Sequence, residues 1–360
     1  MLFRLQKHRM HWQDGMKLSS EHLKQSDDWV SDQIRDIAGQ QLSNTNFGLL
    51  PIEEEGEPLH IQINPEATEV EVKACRAVTK SGARIEILEG YTPKVALSLL
   101  DLKNRYDIER VVFNLVLRVH PFEHVPFGEI EGGEVPIRQK NAMPKYTLEV
   151  INDDNRLNND AILHGLILAK LRVAKNNHVS VIENYIPPCS KIHVYTPLRN
   201  KYEGYAAQIA DLRNNCLSII NETHYIKNPN EFTIHARMFA KELVQFCSNN
   251  QDYLHIILAE KSPVYLHEFF ARLARVVKTY FDCMPDHERR KLTWKSEVQW
   301  GDITWRGLNI EHFDESIIHL LGYQYEHIDI LGLLNTIDGF MEKQVSLITA
   351  LLQYKYVERN

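Results

Sequence analysis

The apolar period of this chain changes once, near residue 196, and that change limits the folds open to it. Before it, side chains alternate. Leu59-His60-Ile61-Gln62-Ile63 and Val70-Glu71-Val72-Lys73-Ala74 put every second residue on one face, the pattern of a half-buried strand. Val111, Phe113, Leu115, Leu117 and Val119 share one face of a longer strand, and Val112 and Val116 make its other face apolar, so both faces are expected to be covered. Tyr146–Ile151, Ile162–Val173 and His178–Tyr185 read as further strands, the second also open to a helical reading. One early helix is expected, capped by Ser19 or Ser20, with Leu23, Val30, Ile34 and Ile37 along one face. Between His120 and Lys145 the four prolines and three glycines predict a long surface loop. Many strands divided by turn residues predict a β-sandwich rather than a parallel sheet.

After Pro197 the pattern is helical. Ile209, Leu212, Cys216 and Ile219 form one stripe, Phe239, Leu243 and Phe246 a second, and Leu266, Phe269, Leu273, Val276 and Tyr280 a third. The clearest is the last: Ile328, Leu331, Leu334, Ile337, Met341, Val345, Ile348 and Leu352 span 24 residues in seven steps. That is about 3.4 residues per step, close to the ~3.5 of a coiled-coil seam. Such a stripe packs inside its own chain or also closes a symmetric oligomer. The expected architecture is α+β. A β-sandwich with one early helix occupies 1–195, and an elongated helical bundle occupies 196–360, with a tryptophan-rich insertion at 291–313 carrying Trp294, Trp300 and Trp305.

Several function classes are disfavoured. With 360 residues the chain is too long for one ordinary core. Its 41 basic and 48 acidic residues leave a net charge of −7, against nucleic-acid binding, which draws on clustered Lys and Arg. No apolar run reaches the ~18–20 residues of a membrane span, and the N-terminus lacks a signal-peptide core, so the chain reads as cytoplasmic with no direct membrane insertion. Its five scattered cysteines read as reduced thiols, most of them buried. The common phosphate, dinucleotide, hydrolase and zinc signatures are absent, so no cofactor, no metal and no catalytic residue is assigned. His120 and His124 have metal-like spacing, but Pro121 argues against a helix that would align them; a metal-dependent hydrolase at this pair is the weakest alternative.

Apolar material also sits where a polar surface is expected. Trp12, Met16 and Leu18 precede the early helix, and Gly15 between them suits a tight turn at positive φ. Trp12 either caps the sandwich core or anchors a partner, since Trp is enriched at interface hot spots.

The segment Trp12-Gln13-Asp14-Gly15-Met16-Lys17-Leu18-Ser19-Ser20-Glu21-His22-Leu23 resembles the N-terminal signature of the TssK family of type VI secretion baseplate subunits, roughly W-x-E-G-[ML]-x-L-x-P-Q-H-F. Trp12, Gly15, Met16, Leu18 and His22 match; Ser20, Glu21 and Leu23 depart from it. Ala142-Met143-Pro144-Lys145 and Tyr185-Ile186-Pro187-Pro188-Cys189 are similar to two further family stretches in the same order. The resemblance implies a non-enzymatic homotrimeric adaptor. A phage receptor-binding-protein-like shoulder would dock the TssF–TssG wedge through Trp12, Gly15, Met16 and Leu18. The Ile328–Leu352 seam would help build a trimeric neck. A C-terminal head usually contacts the membrane proteins TssL and TssM. Here the last helical stripe runs almost to Asn360, so that head is expected to be reduced or absent. The membrane anchor would then be of unknown identity, with Trp294, Trp300 and Trp305 as contact candidates at the inner-membrane face. A phage-type receptor-binding protein with the same fold is the other alternative.

Overall fold

The computed structural model describes residues 4–52, 56–64, 69–99, 111–133, 135–152, 163–173, 179–284 and 310–353. Internal contacts divide the chain into Met1–Thr196 and Pro197–Asn360. Trp294, Trp300 and Trp305 lie outside the described residues.

The first unit opens with helix α1 (Ser20–Gln41) and builds two antiparallel sheets. In one, β3 (Glu69–Val78) carries β1 (Gly48–Leu49), β2 (Leu59–Asn64), β4 (Arg84–Ile87) and β5 (Val95–Ser98) along its two edges. The other has the order β7-β6-β8-β9, from β6 (Val111–Glu131), β7 (Arg138–Asn152), β8 (Gly165–Val173) and β9 (Val179–Val181). The alternation read from the sequence becomes burial: Val70 and Val72 of β3 are in the core, as are Ile85 and Ile87 of β4. Phe113, Leu115 and Leu117 are buried on one face of β6 and Val116 on the other, so this strand is covered on both sides, and α1 packs against it. Residues 165–173 settle as a strand, which removes the helical alternative.

The stretch from His120 to Lys145 is not the expected loop. β6 and β7 continue as one long hairpin, paired as far as Glu131↔Arg138, with irregularities between His120 and His124 and between Phe127 and Ile130. The prolines are tolerated for a topological reason. Proline costs no ladder bond where its nitrogen faces an unpaired strand edge or lies at a bulge. β8 pairs with β6 only as far as Arg118, so among the described residues Pro121 and Pro126 lie on a stretch of β6 with one unpaired edge, with Pro121 inside the His120/His124 irregularity, and Pro144 lies on the edge strand β7.

The Tyr185–Cys189 stretch closes this unit. Leu49 N–H donates to the Pro188 carbonyl at 2.8 Å and Ser190 N–H donates to the Leu49 carbonyl at 2.9 Å. Gly48, at φ +112°, makes the approach possible, because a Cβ there would run into the Pro188 backbone.

The second unit contains α2 (Thr196–His224), α3 (Glu231–Asn249), α4 (Val264–Asp282), α5 (Ile310–Gly322) and α6 (Ile330–Gln353). Helix α3 starts at an Asn230 cap, whose side chain accepts the Thr233 N–H at 2.8 Å. α3 packs on α4, α4 on α5, and both α4 and α5 on α6. The predicted stripes on α2 and α3 are buried throughout. Aromatic edges knit the core: Phe269 and Phe270 meet at 5.2 Å, Tyr205 and Phe270 at 5.2 Å, Phe281 and Phe313 at 5.4 Å. Phe313, read from sequence as the end of an insertion, is therefore a core residue of α5.

On α6, Leu334, Ile337, Met341 and Ile348 of the predicted seam are buried, Leu331 and Leu352 are half-buried, and Val345 is exposed. Ile328 precedes the helix. Ile330, Leu333, Phe340, Leu347 and Leu351 join the core, because a helix packed against two neighbours needs a stripe wider than a two-position seam. Gln344 sits in this stripe, 1% exposed, with no partner for either amide atom among the described residues. Burying an unsatisfied amide costs about 1–3 kcal/mol. Gln344→Leu is therefore expected to stabilise the helical unit by about 1 kcal/mol or more, read as a higher denaturation midpoint at unchanged slope.

Candidate interaction surface at the N-terminal arm

Arg4 to His11 run as an irregular arm before the segment singled out in the sequence. The segment then folds as a tight turn. Gly15 takes φ +79° and Met16 N–H donates to the Gln13 carbonyl at 3.2 Å, which places positive φ at the third residue of the turn, as a type II turn requires. Trp12 is 46% exposed and its ring meets His22, in the first turn of α1, edge-on at 6.2 Å. Leu18 is 62% exposed and Met16 is exposed as well. About half of the Trp12 side chain is accessible, so the indole is open to a partner.

Helix α1 turns its apolar face outward. Its aliphatic side chains Leu23, Val30, Ile34 and Ile37 are all exposed, Ile34 at 63%. At 3.6 residues per turn they fall within about 60° of one another. Asp32 and Arg35 lie on the far side of the helix and are buried, Asp32 at 0% exposure. Amphipathicity alone predicts the reverse. The polar face goes inward because each of its buried atoms finds a partner. Arg35 Nε and Nη2 donate to Asp32 Oδ1 at 2.9 and 2.6 Å, and Arg35 Nη1 donates to the Ser81 carbonyl at 3.1 Å. Asp32 Oδ2 accepts the backbone N–H groups of Gln6 and Lys7 at 2.5 and 2.8 Å. Burial by itself raises the Asp32 carboxyl pKa, but the Lys7 amide, the Arg35 guanidinium and the Gln6 amide together outweigh it and hold the group below its ordinary value.

The other candidates do not come together as a reactive centre. His120 Nε2 lies 2.9 Å from Thr147 Oγ1 and its Nδ1 is 3.6 Å from Glu123, while His124 stands across the strand irregularity opposite Pro144. Among the described residues no group of three His, Cys, Asp or Glu side chains is placed to hold a metal ion. Cys75, Cys189, Cys216 and Cys247 are buried; burial pushes the Cys75 thiol up to about 12 and the Cys247 thiol to about 11, away from the reactive thiolate. No helix of the described residues is long and apolar enough to cross a membrane. The sequence signature pointed to the arm segment but not to the α1 stripe, which reads as core to any amphipathicity argument.

No family model matches this chain, and no curated protein matches it. Solved structures do. The structure of TssK from the type VI secretion system of EAEC in complex with nanobody nb18 is similar with TM-score 0.55 at 12% identity, covering 89% of this chain and 99% of that one. A crystal structure of TssK matches with TM-score 0.54 at 13% identity, over 96% of this chain and 69% of that one. A chain of the baseplate complex from the type VI secretion system matches with TM-score 0.50 at 15% identity, over 88% and 98%. At such identities the likeness is one of fold, and the chain has a TssK-like fold.

Proposed function

We propose that this chain is a structural adaptor of a type VI secretion baseplate, without catalytic activity. Three copies would dock the TssF–TssG wedge through their N-terminal β units. Their C-terminal ends would link it to a membrane anchor at the cytoplasmic face of the inner membrane. The observation that carries the reading is the likeness of fold to TssK over almost nine-tenths of this chain, joined to an N-terminal TssK-like signature whose apolar side chains are exposed. On this reading Trp12, Met16 and Leu18 are the wedge contact and Gly15 sets their turn. Trp294, Trp300 and Trp305 are proposed for the membrane side.

The threefold assembly would use the α6 stripe. Its inner residues Leu334, Ile337, Met341 and Ile348 are covered within the chain, so a second copy would meet its outer edge, Ile328, Leu331, Val345 and Leu352. A closed trimer has three times the 41.9 kDa chain mass, about 126 kDa. Light scattering of the purified full chain at micromolar concentration is expected to give that mass. Co-expression with TssF and TssG proteins is expected to yield one stable complex. A monomer that captures neither protein would sink the proposal.

A further inference from the structure

We infer that the buried Asp32–Arg35 pair is a clasp that holds the N-terminal arm against α1, so that the Trp12–Leu18 segment is presented as one fixed surface; this rests on the adaptor reading above. A buried ion pair is weak evidence of a stabilising device, since an apolar pair of similar volume often serves as well or better. The four large aliphatic side chains of α1 all turn outward, so the inward position of the pair calls for a role beyond filling space.

An ionised carboxylate offers about four acceptor sites. Asp32 uses two on Arg35 and two on the Gln6 and Lys7 amides, 26 and 25 residues away in sequence. Arg35 extends the connection to the turn after β3, through the Ser81 carbonyl. That turn is itself braced, with Ser81 Oγ 2.9 Å from both Thr79 Oγ1 and His164 Nδ1. Gly82, at φ +87°, lets the turn touch the α1 backbone, since a Cβ there would collide with the Arg35 carbonyl. The arm is thus tied through α1 to the first sheet.

Further contacts align the arm beside the clasp. Lys7 Nζ pairs with Asp28 at 2.9 Å and lies 4.8 Å from the centre of the Phe122 ring, and the Arg9 guanidinium lies 5.5 Å from the Trp29 ring. Such half-exposed contacts are weak one by one. The two charge-assisted amide bonds to a dry carboxylate are the strong ones. Four residues after Arg9 begins the Gln13–Met16 turn, so whatever fixes Gln6 and Lys7 limits where Trp12 can stand.

The test compares the full-length chain with Asp32→Asn and with the double substitution Asp32→Leu, Arg35→Met, which removes both charges and refills the space. Hydrogen exchange is read at the Gln6 and Lys7 amides, and affinity is read against purified TssF–TssG wedge. Both variants are expected to exchange at these amides at least tenfold faster, and to bind the wedge at least tenfold more weakly, while the double variant keeps a cooperative unfolding transition. Unchanged exchange overturns the clasp. Faster exchange with undiminished wedge binding overturns the presentation role alone. Unfolding of both variants overturns it too, since the pair would then serve the fold. Failure of the unaltered chain to bind the wedge sinks the adaptor reading itself, and is seen before any variant is compared.

Discussion

Replacing Phe270 by alanine is expected to destabilise the helical unit by about 3–5 kcal/mol, the range for removing a large aromatic side chain from a packed core. Phe270 is fully buried and its ring meets Tyr205 and Phe269, each at 5.2 Å. The loss therefore includes two edge-to-face contacts as well as the transfer of the ring and the cavity left behind. Tyr205 is held from the other side: its hydroxyl donates to Asp338 Oδ1 at 2.8 Å and lies 3.1 Å from the Leu334 carbonyl of α6. It cannot relax into the space without giving up those bonds, so little of the cavity should collapse. Chemical denaturation followed by tryptophan-independent far-UV dichroism checks this. A loss under about 1 kcal/mol would mean that the Phe269–Phe270 cluster is not the packing centre of this unit.

Replacing Trp12 by alanine together with Leu18 by aspartate is expected to reduce affinity for the TssF–TssG wedge by about 2–4 kcal/mol, the range of an interface hot spot, which is roughly 30-fold or more. The same double variant should keep the melting temperature and the assembled mass of the unaltered protein, because both side chains are exposed and neither supports the core. Titration calorimetry or surface immobilisation of the wedge supplies the affinity, and light scattering the mass. If the variant binds as tightly as the unaltered chain, the arm segment is not the wedge contact. If it unfolds instead, Trp12 is a packing residue despite its exposure.

Much of the architecture was legible because period is a local property. Alternation at Leu59–Ile63 and Val70–Ala74 needs no knowledge of neighbours to declare a two-sided strand, and both segments are strands. The same holds for the 3–4 spacing of Ile209, Leu212, Cys216 and Ile219, which lies on the buried face of α2. The Gly15 turn was readable too, since only a residue free to take positive φ suits it.

The candidate site was legible only in part. The signature drew attention to Trp12, Met16 and Leu18, but nothing local separates an apolar residue that waits for a partner from one that enters the core. The α1 stripe shows this most clearly: Leu23, Val30, Ile34 and Ile37 have core spacing and are exposed. Likewise, the prolines of 120–145 count against a strand until it is known that β8 stops pairing with β6 at Arg118 and that, among the described residues, no strand takes its place.

By itself, then, the sequence determined where sheet gives way to helix and which residues each element had available for burial, since backbone period and side-chain spacing are set within a few residues. Only the tertiary structure decided which face of α1 turned inward. That choice depends on whether Asp32 and Arg35 meet the Gln6 and Lys7 amides and the Ser81 carbonyl, groups up to 46 residues away. A buried charge is tolerated only where such distant partners arrive together.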